Sequence, residues 1–213
     1  MATSLAKENI LRKIRQALTN PVPLPFPESE TEPLVFNTTT EDKSIVFAES
    51  FTKLQGKFVF CKNESELKNF LQQLFIERNW NKIYCKESFL LQLLQQIDIS
   101  HFDDLANCDV AITDCEYLVA RTGTIVMSSN QSSGRTASVY APVHICIARY
   151  AQIVDDLKDA LTSIKNKIPN QSPSFITFAS GPSRTADIEK TLVTGVHGPK
   201  EVFCFLLEQG SVD

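Results

Sequence analysis

The residue types best able to bind a ligand or move a proton are concentrated in two neighbouring segments, residues 181–189 (GPSRTADIE) and 195–199 (GVHGP). These segments contain three of the chain's seven glycines and two of its ten prolines, together with a guanidinium, two carboxyl groups and an imidazole. Apolar runs at residues 175–179 and 202–207 flank them. Because polar, glycine-containing loops between strands commonly carry the ligand sites of α/β proteins, the sequence predicts a binding site here.

Arg184 is the residue of this segment best suited to hold an anion, since a guanidinium presents paired donors to a carboxylate or phosphate. Backbone amides at the start of a helix in the same segment would add further donors. The predicted ligand-binding residues of the segment are Gly181, Ser183, Arg184, Thr185 and Glu189. The alternative is a sharp strand-to-helix turn in which Arg184 pairs with a nearby carboxylate. The spacing is not that of a P-loop, and no G-x-G-x-x-G occurs in the chain.

His197 is the strongest candidate for proton transfer, because its imidazole titrates near neutral pH and the glycines around it allow close backbone approach. The alternative is that His197 bonds a backbone carbonyl and fixes the loop. Asp187 is a second catalytic candidate, as a base or as the group that orients His197 or Arg184. Asp187 and Glu189 are two residues apart and need not share a face, which argues against a paired-carboxylate mechanism.

A second polar segment, Thr122-Gly123-Thr124, follows another predicted strand end, with Glu116 shortly before it. We expect Thr122, Gly123 and Thr124 to bind ligand in the same crevice as residues 181–189. Glu116 is a third catalytic candidate, as a carboxylate on that crevice.

Composition excludes several classes of function. Lys and Arg number 21 against 25 Asp and Glu, so no basic excess favours nucleic acid. No apolar run reaches the roughly 18 residues of a membrane span. The six cysteines form no C-x-x-C pair and the three histidines are scattered, so no metal site is predicted and a reducing cytoplasm is favoured.

The chain is predicted to begin with a helix at residues 4–18, which is amphipathic and basic. A mitochondrial presequence is the alternative for this helix. Five prolines between residues 21 and 33 then favour an extended, polyproline-like arm. We therefore expect two parts: a helix and proline-rich arm at residues 1–39, and one domain at residues 40–213.

In the domain, short apolar runs alternate with amphipathic segments, which predicts an α/β fold with a parallel sheet covered by helices on both faces. Predicted strands are residues 58–61, 82–85, 109–113, 122–129, 143–147, 175–179 and 202–207, and predicted helices are residues 41–54, 63–79, 87–96 and 153–168. We also expect one helical turn at residues 114–120 and an exposed loop at residues 130–138.

Residues 181–189 and 195–199, with Thr122-Gly-Thr-Ile-Val126 and the Pro142–His144 strand in that order, resemble the LUD-domain family, specifically its lactate-utilisation protein C branch. The likeness covers residues 40–208. It implies a fold similar to the NagB/RpiA/CoA-transferase-like group, with a Rossmann-like parallel sheet. Members often have Ala-Glu-Thr-Gly-Thr where this chain has Ala120-Arg121-Thr122-Gly123-Thr124, which places any carboxylate role there in doubt.

The resemblance implies a cytoplasmic bacterial protein that acts with iron–sulfur partner proteins in the oxidation of L-lactate to pyruvate. The chain has no iron–sulfur or dinucleotide motif of its own. The leading prediction is therefore a subunit of this system with a crevice for a small carboxylate or phosphate. The alternatives are a non-catalytic assembly module for the iron–sulfur subunits, or a stand-alone transferase or isomerase of the same fold group.

Overall fold

The computed structural model describes residues 2–19, 41–167, 172–188, 191–195 and 197–208. The chain divides into two units, Met1–Thr38 and Thr39–Asp213. The first unit contains helix α1 (Ala2–Leu18), close to its predicted span. The predicted proline-rich arm lies outside the described residues. All of the predicted site residues belong to the second unit.

A parallel sheet forms the centre of the second unit. Its strands are β1 (Lys57–Cys61), β2 (Ile83–Cys85), β3 (Val110–Thr113), β6 (Val143–Arg149) and β11 (Glu201–Leu207). Within the described residues they form one five-stranded sheet in the order β1-β11-β6-β3-β2, and every neighbouring pair is parallel. Because successive side chains point to opposite faces, apolar strands of this kind must be covered on both sides.

Two amphipathic helices cover one face of the sheet, α3 (Glu64–Arg78) and α4 (Ser88–Gln96). Asn63 fixes the start of α3, where its Oδ1 accepts a hydrogen bond of 3.0 Å from the Glu66 amide. The apolar stripe of α3 and α4 then packs on alternate residues of the central strands, including Ile112, Ile145 and Phe205.

The other face is covered by helix α2 (Lys43–Lys53), the short helix α5 (Ala137–Tyr140) and a second sheet. The strands of that sheet are β4 (Tyr117–Val119), β5 (Thr124–Ser128), β7 (Ile153–Val154) and β8 (Ile176–Ala179). In the described part of the chain they are ordered β7-β4-β5-β8, with antiparallel pairing of β5 to both neighbours. Helix α6 (Leu157–Lys167) packs on its outer side through Ala160 and Ile164. The predicted α/β class, a parallel sheet flanked by helices, is confirmed, and the second sheet is an addition to it.

Four local predictions were wrong. The predicted helical turn at residues 114–120 is β4, because this segment pairs with β5 and β7. The predicted helix at residues 153–168 begins only at Leu157, since Ile153 and Val154 pair with β4 as β7. The predicted exposed loop at residues 130–138 is a loop only as far as Thr136, because residues 137 and 138 begin α5, and Ser133 within it is buried.

The fourth correction concerns the segment with the predicted site. No helix follows residues 181–183; instead β9 (Arg184–Ile188) and β10 (Thr191–Thr194) form an antiparallel hairpin. Several β-branched residues in these two strands favour extended backbone over helix. The predicted donation of helix-start amides to an anion is therefore wrong.

Candidate ligand site

Ser183 joins the two halves of the glycine-rich region. Its amide donates a hydrogen bond of 2.9 Å to the Pro199 carbonyl, and its own carbonyl accepts one of 2.9 Å from the Gly195 amide. Gly198 lies so close that a Cβ atom added there would be 2.9 Å from the Ser183 Cβ. Ser183 is thus held beside Gly195, Gly198 and Pro199 at the base of the β9–β10 hairpin.

An open pocket of about 480 Å³ lies beside this base. Its lining residues are Val139, Tyr140, Ala141, Pro142, Gly195, His197, Gly198 and Lys200. The segment that continues from α5 ends at Pro142, directly before β6, and the segment with His197 lies directly before β11. The pocket is therefore at the amino ends of these two parallel strands. The Lys200 amide donates a hydrogen bond of 2.8 Å to the Pro142 carbonyl and ties the two segments together.

Among the described residues, two basic side chains line this pocket, His197 and Lys200, and both are exposed. An ammonium group is a strong phosphate and carboxylate ligand, and a histidine beside it can hold or release a proton. His197 was predicted as a site residue from the sequence, whereas Lys200, Tyr140 and Pro142 were not. Lys200 carried one usable signal, a basic residue directly after GVHGP and directly before an apolar strand.

Arg184 lies in a different environment. Its Nη2 donates a hydrogen bond of 2.9 Å to the carbonyl of Leu54, the residue that ends α2. Cationic donors at a helix C-terminus satisfy carbonyl groups that lack intrahelical partners. The backbone of Gly181 lies against the same carbonyl. Arg184 and Gly181 thus hold the end of α2, and neither lines the pocket of His197.

Thr122, Gly123 and Thr124 also meet α2. The Thr124 hydroxyl is 2.7 Å from the Thr122 hydroxyl and 2.7 Å from the Ser180 hydroxyl. The backbone of Gly123 lies against Phe51 of α2. The structure therefore brings Thr124 close to Ser180 beside the end of α2, and not beside His197.

Glu116 lies neither at the His197 pocket nor at the end of α2. One of its carboxylate oxygens accepts a hydrogen bond of 2.7 Å from the Ser128 hydroxyl, and the other accepts one of 2.9 Å from Lys167 Nζ. Its side chain is 14% exposed. Ser128 ends β5 while Thr124 begins it, so Glu116 lies at the opposite end of this strand from the threonines.

The remaining predicted residues are only partly described. Thr185 and Asp187 lie in β9, but their side chains are outside the described part of the structure, as is the whole of Glu189. Their roles stay predictions.

His144 is the third histidine, and it lies in the core. It is fully buried, with Nε2 2.8 Å from the Thr113 hydroxyl and no hydrogen-bond partner for Nδ1 among the described residues. Burial lowers the pKa of His144 to about 4, because the charged imidazolium loses its hydration. His144 is therefore neutral at physiological pH.

Neither a metal centre nor a membrane span is found among the described residues. No group of three or more His, Cys, Asp or Glu side chains there is placed to hold a metal ion. No helix in the same residues is long and apolar enough to cross a membrane.

The parallel sheet and its flanking helices place the chain among Rossmann-like α/β proteins. A solved structure described as a DUF162 family protein from Deinococcus radiodurans has the same fold, with a TM-score of 0.60 over 80% of this chain and 99% of that one, at 17% sequence identity. The LUD domain family model matches residues 82–207, more than half of the chain, and the chain belongs to this family. The predicted family is thereby confirmed.

Several similar proteins are named Lactate utilization protein C. The one from Anoxybacillus flavithermus is 31% identical over 72% of this chain and 75% of its own length. The one from Deinococcus radiodurans is 26% identical over 94% of this chain and 95% of its own length. An uncharacterized protein of Neisseria meningitidis is 32% identical, but the match spans only 51% of this chain and 46% of that relative.

Proposed function

We propose that this chain is a cytoplasmic subunit of a bacterial L-lactate utilisation system that acts with iron–sulfur partner proteins. In this proposal the pocket of His197 and Lys200 binds an organic anion. The family and the relatives named Lactate utilization protein C support the pathway. The observation that carries the site is the presence of both Lys200 and His197 in the lining of one open pocket.

The chemistry of the pathway defines what such a site must do. Oxidation of L-lactate to pyruvate removes two electrons and two protons from the hydroxyl-bearing carbon and its oxygen. The sequence contains no C-x-x-C pair, so we assign the two electrons to iron–sulfur clusters of the partner proteins. On this chain, Lys200 holds the carboxylate and His197 accepts the hydroxyl proton, while the proton of the broken C–H bond passes with the two electrons to an acceptor on the partner proteins.

The first test is growth of a lactate-utilising bacterium in which this chain is replaced by variants. We expect His197→Asn and Lys200→Gln each to reduce growth on L-lactate about tenfold or more, because each removes a group that contacts the anion. Growth on pyruvate should be unchanged, since pyruvate is the product of the step. Lys158→Gln, which removes an exposed lysine on α6, is the matched control.

Two outcomes would contradict parts of the proposal. If both pocket variants grow normally on L-lactate and are present at normal levels as folded protein, the proposed anion site is contradicted. If a tagged chain co-purifies with no iron-containing protein from lactate-grown cells, the proposed iron–sulfur partners are contradicted. Retained partners with an inert pocket would favour the assembly module over the catalytic subunit.

A further inference from the structure

The two walls of the pocket differ in chemistry. One wall is a continuous apolar segment, Val139, Tyr140, Ala141 and Pro142, and the other carries His197 and Lys200 with the backbone of Gly195 and Gly198. The Tyr140 side chain is 71% exposed, although large aromatic side chains are usually mostly covered. A polar anion alone would leave this apolar wall in contact with water.

The apolar wall is held in place from behind. Ala137 and Ala141, at the two ends of α5, are each 1% exposed and pack with Cys108 and Ala111 of the main body. The Tyr140 amide donates a hydrogen bond of 2.9 Å to the Thr136 carbonyl. The exposed ring therefore projects from an anchored helix, and the bond between Lys200 and Pro142 sets its distance from the cationic wall.

The pocket also has more volume than lactate fills. Pockets of roughly 300 to 1,000 Å³ hold ligands of drug size, whereas lactate has only six non-hydrogen atoms. At about 480 Å³, this pocket would remain mostly water-filled with lactate bound at Lys200.

We propose that the preferred ligand of this pocket is a larger organic anion that carries a planar or apolar group. Its carboxylate or phosphate lies at Lys200 and His197, and its planar group lies against Tyr140, Val139 and Pro142. This inference rests on the proposed function in one respect, that the pocket binds an organic anion. It adds that Tyr140 is the residue that selects for the apolar part of the ligand.

Two matched pairs of ligands test this inference on the full chain by isothermal titration calorimetry. L-lactate is compared with L-3-phenyllactate, and methyl phosphate with phenyl phosphate; each pair shares its anionic group and differs by a ring. We expect the ring to improve affinity about tenfold, the usual effect of burying an aromatic group against another.

Variants then assign the effect to the two walls. Tyr140→Ala should remove the roughly tenfold preference for the ring-bearing ligands. The affinities for lactate and methyl phosphate should stay within about twofold of the wild-type values, since the substitution leaves the cationic wall intact. Lys200→Gln should weaken all four ligands. Phe178→Ala, which removes an exposed aromatic side chain from β8, is the control and should change none of them.

The outcomes separate this inference from the function on which it rests. If lactate binds and depends on Lys200 but the ring adds no affinity, or if Tyr140→Ala keeps the preference, the inference is wrong and the anion site remains. If none of the four ligands binds, the anion site and this inference both fail.

Discussion

At the scale of single residues, burial decides what the histidines can do. His197 is exposed in the pocket, while His144 is enclosed between the central sheet and its covering layer with only Thr113 as a bonded neighbour among the described residues. Protonating His144 would create a buried positive charge, and no carboxylate among the described residues pairs with it. Its neutral form is therefore the one the fold requires.

His144 should make the protein less stable in mild acid. Its pKa is about 4 when folded and near 6.5 in an unfolded chain, so below about pH 6.5 the unfolded state binds more protons. The free energy of unfolding is thus unaffected by His144 above pH 7 and falls by about 3 kcal/mol between pH 6.5 and pH 4. Urea denaturation at pH 7, 5.5 and 4.5 measures this decline.

His144→Gln should flatten that decline, because glutamine does not titrate. His101→Gln is the control, since the His101 side chain is 45% exposed and not part of the core. An identical pH dependence in the wild type and His144→Gln would show that other groups cause the acid sensitivity.

Sequence reasoning proposed His197 as a site residue, which stays a prediction, but it did not propose Tyr140 or Lys200. Glycines and a titratable group are visible in a local pattern. The contact between residues 139–142 and 195–200 joins segments far apart in the chain and depends on β6 and β11 being neighbours. Local hydrophobic periodicity does not determine the order of strands in a sheet, so the apolar wall of the pocket could not be predicted.

At the scale of elements, the errors have a common cause. Ile153 and Leu157 have the spacing of neighbours on one helix face. Ile153 nevertheless belongs to strand β7, where it pairs with Leu118 of β4. Short apolar segments fit a helix or a strand equally well, and pairing with a distant strand decides between them. Helix α3, which has 15 residues, was predicted closely because its own apolar pattern spans several turns.

Gly123 tests how tightly the β4–β5 turn packs on α2. Its φ is +57°, and a Cβ added there would lie 2.3 Å from the Phe51 amide nitrogen, which is backbone and cannot rotate away. We expect Gly123→Ala to lower the free energy of unfolding by about 3 kcal/mol or more, from left-handed strain plus displacement of α2. Thermal unfolding followed by circular dichroism measures the loss.

Gly134→Ala is the matched control. Its φ is +67°, but nothing lies within 4 Å of an added Cβ, so only the backbone strain of about 1 kcal/mol remains. If both substitutions lower the free energy of unfolding equally, the close contact of Gly123 with α2 adds nothing to the cost of Gly123→Ala.

At the scale of the whole molecule, the alternation of strands and helices was enough to predict the parallel sheet. It was not enough to predict the second sheet, whose strands are drawn from both sides of β6. Residues expected to share one crevice accordingly fall into three places: the His197 pocket, the end of α2 and the Glu116 ion pair.

The core should also protect the thiols. All six cysteines are unpaired and buried. Burial raises the pKa of Cys61 to about 11, that of Cys85 to about 12 and that of Cys108 to about 11, which suppresses the reactive thiolate. We expect less than one thiol per chain to react with a colorimetric disulfide reagent within minutes at pH 8, and six in denaturant. Rapid reaction of two or more native thiols would contradict the closed core.

The strand order also has a consequence for synthesis on the ribosome. In the part of the chain described, β1 pairs only with β11, which begins 140 residues after β1 ends. At about 5 to 20 residues per second, the nascent chain carries β1 without its partner for roughly 7 to 28 seconds. During that time Phe58, Val59 and Phe60 form an unpaired apolar strand of the kind that joins to other chains. Chaperone access to this stretch while translation continues would protect the chain until β11 emerges and closes the sheet.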